Sequence, residues 1–224
     1  MRNYVAKITA IVWKDVAAEL RTKEAVSSMF VFALLTIVIF NFALDLTPVN
    51  TADVAPGILW VTFTFAGVLG LNRSFLREKD QGCLEGLMMT PVDRSALYFG
   101  KLLANWLFIT AIEVVALPVF GIFFNLPVLR LPIVPITLLG TLGFVAVGTI
   151  FAAMAVNTRL RDVLLPIMLF PIVVPVVIAA VKSTGAVLNG RPLSEVSHWF
   201  QLMIAFDSLF VAASFMLFDH VLEE

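Results

Sequence analysis

Arg73-Ser-Phe-Leu-Arg77-Glu78-Lys79-Asp-Gln-Gly82-Cys-Leu84-Glu85-Gly-Leu87-Met88-Met-Thr-Pro91-Val-Asp-Arg94 is a short charged island in a chain that is otherwise almost all apolar. Long apolar runs flank it, residues 54–71 before and 96–124 after. The island is too short for a domain and too patterned for a plain loop. Its charges alternate over residues 75–80, which carries the preceding helix past the apolar layer. Gln81-Gly82 is a break. Beyond it, Leu84, Leu87 and Met88 share one helical face, with Glu85 beside them. Thr90-Pro91 stops this short helix, because a proline biases the residue before it away from helical angles. Asp93 or Ser95 then caps the next run. The product is a short helix roughly parallel to the membrane, an apolar knob with charged flanks. Such a knob suits a groove on a partner protein. An amphipathic turn packed on lipid headgroups is the alternative.

Hydrophobic residues make up 60% of the 224 residues and charged residues 14%. Soluble chains run about 45–50% apolar and about 25% charged. A water-soluble fold of this size has too little interior to hide that surface, so the chain is read as an all-α polytopic membrane protein. The apolar runs are 26–44, 54–71, 96–124, 133–156, 163–181 and 199–218. At about 20 residues per span they make six helices. Residues 1–224 then form a single transmembrane domain with no room for a nucleotide site, and no Gly-rich phosphate loop ending in Lys-Ser/Thr occurs. The one cysteine, Cys83, has no disulfide partner in the chain. His198 and His220 flank the last run, roughly 30 Å apart along a helix, and do not share a metal ion. No catalytic constellation, resident cofactor or nucleic-acid partner is expected.

Lys and Arg divide unevenly between alternate connections. Twelve precede the first run or fall in the second and fourth connections; Arg130, Lys182 and Arg191 are the three on the other side. The richer side is the cytoplasmic one. Both termini and the island therefore face the cytoplasm. Between the spans outside lie only short loops, 45–53, 125–132 and 183–198, the last carrying the turn signal Asn189-Gly190-Arg191-Pro192.

Residues 1–24 lack the unbroken apolar core of a cleavable leader. They read as an interfacial helix lying on anionic lipid, with Val5, Ile8, Val12, Val16 and Leu20 on one face and Lys7, Lys14 and Arg21 opposite. Glu19 falls on the apolar side. Within the spans, Asn41, Glu113 and Asp207 stand as intramembrane polar residues. A carboxylate near the bilayer centre costs roughly 2.5–3.5 kcal/mol, so each faces protein or water. Glu113 and Asp207 are hydrogen-bonded ties between helices, or they line a polar cavity. Pro166, Pro171 and Pro175 kink the fifth span, either as a static bend or as a deformable helix near a translocation path or dimer interface. Gly140, Gly143 and Gly148 allow close packing of the fourth.

The pattern Glu78-Lys79-x-x-Gly82-x-Leu84-Glu85-x-Leu87-x-x-Thr90-Pro91, followed by Gly100-Lys101, resembles the signature between spans two and three of ABC-2-type exporter permeases. There the segment is the coupling helix that docks into an ATPase subunit. The first 24 residues resemble that superfamily's elbow helix. Within it the chain is most similar to the CcmB family, the haem exporter permeases of cytochrome c maturation. Asp15-Val-Ala-Ala-Glu19-Leu-Arg21, the 82–91 segment with Lys101 and Trp106 downstream, and the prolines of 164–175 carry the likeness. Thr90 stands where the family has serine, and Asn105 where histidine is expected.

The resemblance implies a permease subunit that pairs with itself and with a CcmA-like ATPase, which binds the ATP. Segment 73–95 is the coupling segment, with Arg77, Glu78, Lys79, Gly82, Leu84, Glu85, Leu87, Met88 and Pro91 as the docking residues. It further implies CcmC-, CcmD- and CcmE-like partners, and haem as the transported or handled ligand. A permease exporting another lipid, drug or polysaccharide is the alternative function, and a non-transporting membrane scaffold is another.

The charge count makes a direct prediction. In intact cells an impermeant thiol reagent labels cysteine placed at Thr51 or Gly190 and does not label native Cys83. Labelling of Cys83 from outside would reverse the topology.

Overall fold

A lipid interior offers an N–H or C=O no partner outside its own segment, so an apolar run of span length closes its hydrogen bonds as a helix. The computed structural model describes residues 2–45, 51–76, 79, 94–156, 158 and 160–221. Among these residues seven α-helices follow in order and no strand occurs. They are α1 (Arg2–Thr22), α2 (Glu24–Asp45), α3 (Thr51–Ser74), α4 (Arg94–Phe124), α5 (Ile133–Ala155), α6 (Arg161–Leu188) and α7 (Ser197–Val221). A 3-10 turn, Leu193–Val196, leads into α7. Helices α2 to α7 are each long and apolar enough to cross a bilayer. The chain is an all-α polytopic membrane protein.

Helix α5 is the axis of the bundle: 72% of its span is buried, against 22% for α2 and for α7. Its glycines make this possible. The Trp60 ring of α3 lies on Gly140, where a Cβ would stand 2.9 Å from Trp60 Cζ3. Phe206 and Asp207 of α7 press on Gly143, and Leu71 of α3 packs on Gly148. Outside this axis, inner and outer rows differ in bulk rather than polarity. On α2 the row Ala25, Met29, Ala33, Ile37 is buried, and Val31, Leu35, Ile39, Phe42 faces outward. Rings of Phe32, Phe65 and Phe170 join α2, α3 and α6 on one side of the molecule, with centroids 6.3 and 5.3 Å apart.

The helix ends follow the sequence chemistry. Asn125 takes a left-handed φ of 51° just past α4, and Gly190 takes 73° beyond α6. The next amides reach back, Leu126 N to Gly121 O and Arg191 N to Ala186 O. This is the Schellman closure, and asparagine and glycine tolerate its angles. At the α1–α2 corner Lys23 is left-handed at φ 57°. Glu19, 7% exposed, holds that corner. Its carbonyl accepts Lys23 N at 2.6 Å, and its carboxylate accepts Val26 N at 2.9 Å in the first turn of α2.

Two expectations are corrected. The fifth span does not end at 181: α6 runs to Leu188, and Ser183 and Thr184 are buried rather than in a loop. Lys182 is exposed, and its flexible stem lets the ammonium reach the interface from within a helix. Ser95 does not cap α4, since it lies inside the first turn; Asp93 is outside the described residues. Helix α1 meets the bundle through a partly acidic edge. Ile11, Asp15 and Glu19 face inward, and Val5, Trp13 and Leu20 are 58%, 72% and 67% exposed. An inward acidic side is stable because each carboxylate meets a donor there.

Candidate functional site

The site is built at the end of the bundle where α1, the close of α3 and the start of α4 meet. Gly100 admits Ile11 of α1, where a Cβ would stand 2.6 Å from Ile11 Cγ2. The next residue, Lys101, is 2% exposed. Its Nζ pairs with Asp15 Oδ2 at 3.0 Å, donates to Ser74 O at 2.8 Å and lies 5.1 Å from the Phe75 ring centroid. An ammonium has three protons to place, and this pocket offers a carboxylate, a carbonyl and an aromatic face. Asp15 Oδ1 also pairs with Lys14 at 3.2 Å. Ser74 ends α3, so Lys101 supplies a cation to one of the carbonyls left open there.

Lys79 repeats the device. Its Nζ donates to Val156 O at 2.6 Å, just past the end of α5. On the return, Tyr4 Oη of α1 donates to Ser95 Oγ at 3.2 Å. Helix α1 thus meets the start of α4 at two points, Ser95 and Lys101. Of the expected coupling residues, Lys79 alone is described; Arg77, Glu78, Gly82, Leu84, Glu85, Leu87, Met88 and Pro91 lie outside the described residues. Arg73 pairs with Glu24 at 3.3 Å, but both are exposed, so this ion pair contributes little.

Deeper in the bundle, α4 and α5 are laced by side-chain bonds. Asn105 Nδ2 donates to Thr149 Oγ1 at 3.1 Å, and Thr141 Oγ1 donates to Glu113 Oε1. Eight residues forward on α4 match eight backward on α5, the register of an antiparallel pair. A second seam keeps the same step: Tyr98 Oη donates to Ala146 O at 3.2 Å and Trp106 Nε1 to Leu138 O at 3.2 Å. Glu113 is 2% exposed, and its Oε2 has no partner among the described residues.

Asn41 is not deep in its span. It stands four residues before the end of α2, and its Nδ2 donates to Phe123 O at 2.6 Å, closing a carbonyl at the end of α4. Arg130 does the same for α6 by donating to Val187 O. Pro166, Pro171 and Pro175 all lie within one continuous helix. Pro171 and Pro175 are exposed in an outward row with Ile167, Val174 and Ile178. Asp207 is 5% exposed, and neither carboxylate oxygen has a partner among the described residues. It ties no helix to another here, and the space it lines is apolar. That space is a groove of about 520 Å³ between α4, α5 and α7.

Sequence reasoning treated Lys101 as a loop charge and passed over Asp15 as a pairing group. Its signal was position: Lys101 lies seven residues inside α4, too deep to be a flank. Thr141 and Thr149 carried no signal. Thr62, Thr64 and Thr137 in the same kind of run bond their own i−4 carbonyls. Only the neighbouring helix distinguishes the two uses.

Fold and site together define a helical, membrane-embedded protein whose polar side chains close helix ends and join α4 to α5 along two seams. The CcmB protein family model matches residues 6–223. The chain belongs to the CcmB family. Heme exporter protein B of Bradyrhizobium diazoefficiens is 30% identical over 188 residues, 84% of each chain. The protein of the same description from Pseudomonas aeruginosa is 27% identical over 186 residues, 83% of each chain. That from Escherichia coli K12 is 29% identical over 189 residues, 81% of this chain and 84% of the relative.

Lys101→Met leaves Asp15 with Lys14 alone and destabilises the protein, by less than the about 3–5 kcal/mol that a fully stranded buried charge costs. The added change Asp15→Leu recovers part of that loss, and denaturation midpoints of the two variants in detergent measure it. Glu113→Gln keeps an acceptor for Thr141 and retains both yield and function, whereas Thr141→Val costs about 0.6 kcal/mol. A Glu113→Gln protein of normal yield but no function would show that the site requires a charge or a titrating proton.

Proposed function

We propose that this chain is the permease subunit of an ATP-driven complex that exports haem, or releases a haem-loaded chaperone, during cytochrome c maturation. The observation that carries this is the family match over residues 6–223, joined by relatives described as heme exporter protein B. ATP is bound and hydrolysed by a CcmA-like partner, and this chain performs no catalysis. Segment 73–95 is the coupling segment, residues 1–24 the interfacial elbow, and both lie on the cytoplasmic side of a bacterial inner membrane. CcmC-, CcmD- and CcmE-like proteins complete the assembly.

The bonding at the bundle's end supports this division of labour. A push on the segment reaches Lys79 and through it the end of α5 at Val156. It also reaches Lys101 and hence α1, α3 and α4 together. Exposed Val5, Trp13 and Leu20 set α1 into the lipid surface, and its basic edge meets anionic headgroups. A second copy of the permease packs against the α2–α3–α6 side, where the proline row and the Phe32, Phe65 and Phe170 rings face outward.

Native-membrane purification tests the reading by identifying the co-purifying ATPase and bound chromophore. Leu84→Asp with Leu87→Asp, or Glu85→Lys, inserts normally and loses the ATPase, because the knob no longer fits an apolar groove. Full ATPase recovery together with full cytochrome maturation in these variants would refute the docking assignment.

A further inference from the structure

At the end of the bundle away from α1, residues 125–132 connect α4 to α5. Val128 is buried and packs on Gly121, where a Cβ would stand 2.7 Å from Val128 Cγ2. The leucines beyond it turn out: Leu129 is 74% exposed and Leu131 85%. Ile122 before the connection and Val134 after it are exposed as well. Arg130, between the two leucines, donates to Val187 O at the end of α6. It is the only charged residue between Glu113 and Arg159. With a carbonyl to serve and a long stem, it does not force the connection into water.

Depth is the first indication of what covers these leucines. Helix α1 packs on α4 through Ile11 at Gly100. Phe124 ends α4 twenty-four residues later, roughly 36 Å along the helix. The hydrocarbon layer is about 30 Å thick, and about 40–45 Å with its headgroups. With α1 at one interface, as proposed above, the connection falls in the headgroup layer of the opposite leaflet. Backbone closure is the second indication. Water can serve the last carbonyls of a helix, but lipid cannot. Here Gly121 O accepts Leu126 N, Ile122 O accepts Asn125 N, and Phe123 O accepts Asn41 Nδ2. Leu126 O accepts Val128 N, and the carbonyls of Arg130 and Leu131 accept Ile133 N and Val134 N. The third is continuity. The exposed residues Leu107, Val114 and Ile122 follow one another along the membrane-spanning α4 up to the connection. A soluble partner's site carries a polar rim, whereas this hairpin offers only Asn125 and Arg130 over residues 114–136.

We infer that the α4–α5 connection is a lipid anchor: Leu129 and Leu131 enter the phospholipid leaflet opposite the one that α1 lies on. The choice of leaflet rests on the proposed placing of α1. The anchor holds the far end of the α4–α5 pair at a fixed depth, and through Arg130 it holds the end of α6 beside it.

The test is electron paramagnetic resonance on the full chain, reconstituted alone in phosphatidylethanolamine–phosphatidylglycerol vesicles. Each protein carries Cys83→Ser and one nitroxide-labelled cysteine, from Leu129→Cys or Leu131→Cys. Val114→Cys is the lipid control, the exposed Glu195→Cys the water control, and Trp13→Cys reports on α1 separately. Relaxation by oxygen, which concentrates in lipid, is compared with relaxation by a water-soluble nickel chelate. The oxygen-to-nickel ratio at 129 and 131 is about fivefold above that at 195, since an apolar face of this kind sits about 5–10 Å into the acyl boundary. In native membranes a photoreactive residue at position 131 gives lipid adducts. A ratio at 129 and 131 equal to that at 195 overturns the anchor. So does exclusion of both relaxing agents there, which marks cover by a second copy, or a photoadduct to another polypeptide. A water-like ratio at position 13 with lipid-like ratios at 129 and 131 refutes the placing of α1 and upholds the anchor.

Discussion

The ion pair between Lys101 and Asp15 joins the three parts of this protein that the bilayer alone would not bring together. Lys101 belongs to α4, Asp15 to α1, and the carbonyl that completes the ammonium's shell belongs to Ser74 at the end of α3. A charge in so dry a position is stable only if all its partners stay in place. The docking of α1, the close of α3 and the first turns of α4 are consequently interdependent. The same logic recurs at Glu19, which closes the α1–α2 corner, and at Lys79, which closes the end of α5. Helix ends are where backbone groups go unpaired, and this end of the molecule spends its charged side chains on them.

Beyond that end, packing in a solvent as apolar as leucine needs another source of specificity. The chain uses close approach and sparse polar bonds. Helix α5 supplies the first through Gly140 and Gly143. It supplies the second through Thr141 and Thr149, which meet Glu113 and Asn105 of α4 at a shared step of eight residues. The outcome is a bundle with one well-bonded interior pair and two outward sides of different character. The α2–α3–α6 side is smooth, aromatic and proline-lined. The α4–α5–α7 side is grooved and carries an unpartnered acid.

Two seams of bonds between α4 and α5 resist sliding of one helix along the other. Among the described residues no three metal-ligating side chains gather, and the buried polar side chains of α4 bond to α5.

Sequence alone determined the number of spans, their approximate limits and the uneven distribution of cations, because length and hydropathy follow directly from the thickness and dielectric of a bilayer. It also determined the family, through the 78–91 pattern and the prolines of 164–175. It could not determine which face of any span is inside. Ala25-Met29-Ala33-Ile37 and Val31-Leu35-Ile39-Phe42 are both apolar rows of α2, and lipid accepts either. It placed Glu19 as a flaw in an amphipathic face, and tertiary structure made it a cap. It grouped Asn41, Glu113 and Asp207 as three alike. The fold separated them into a helix-end closure, an interhelical tie and an acid buried against Gly143. Each of these outcomes depends on what the neighbouring helix presents across a few ångströms, and no periodicity within a single span contains that information.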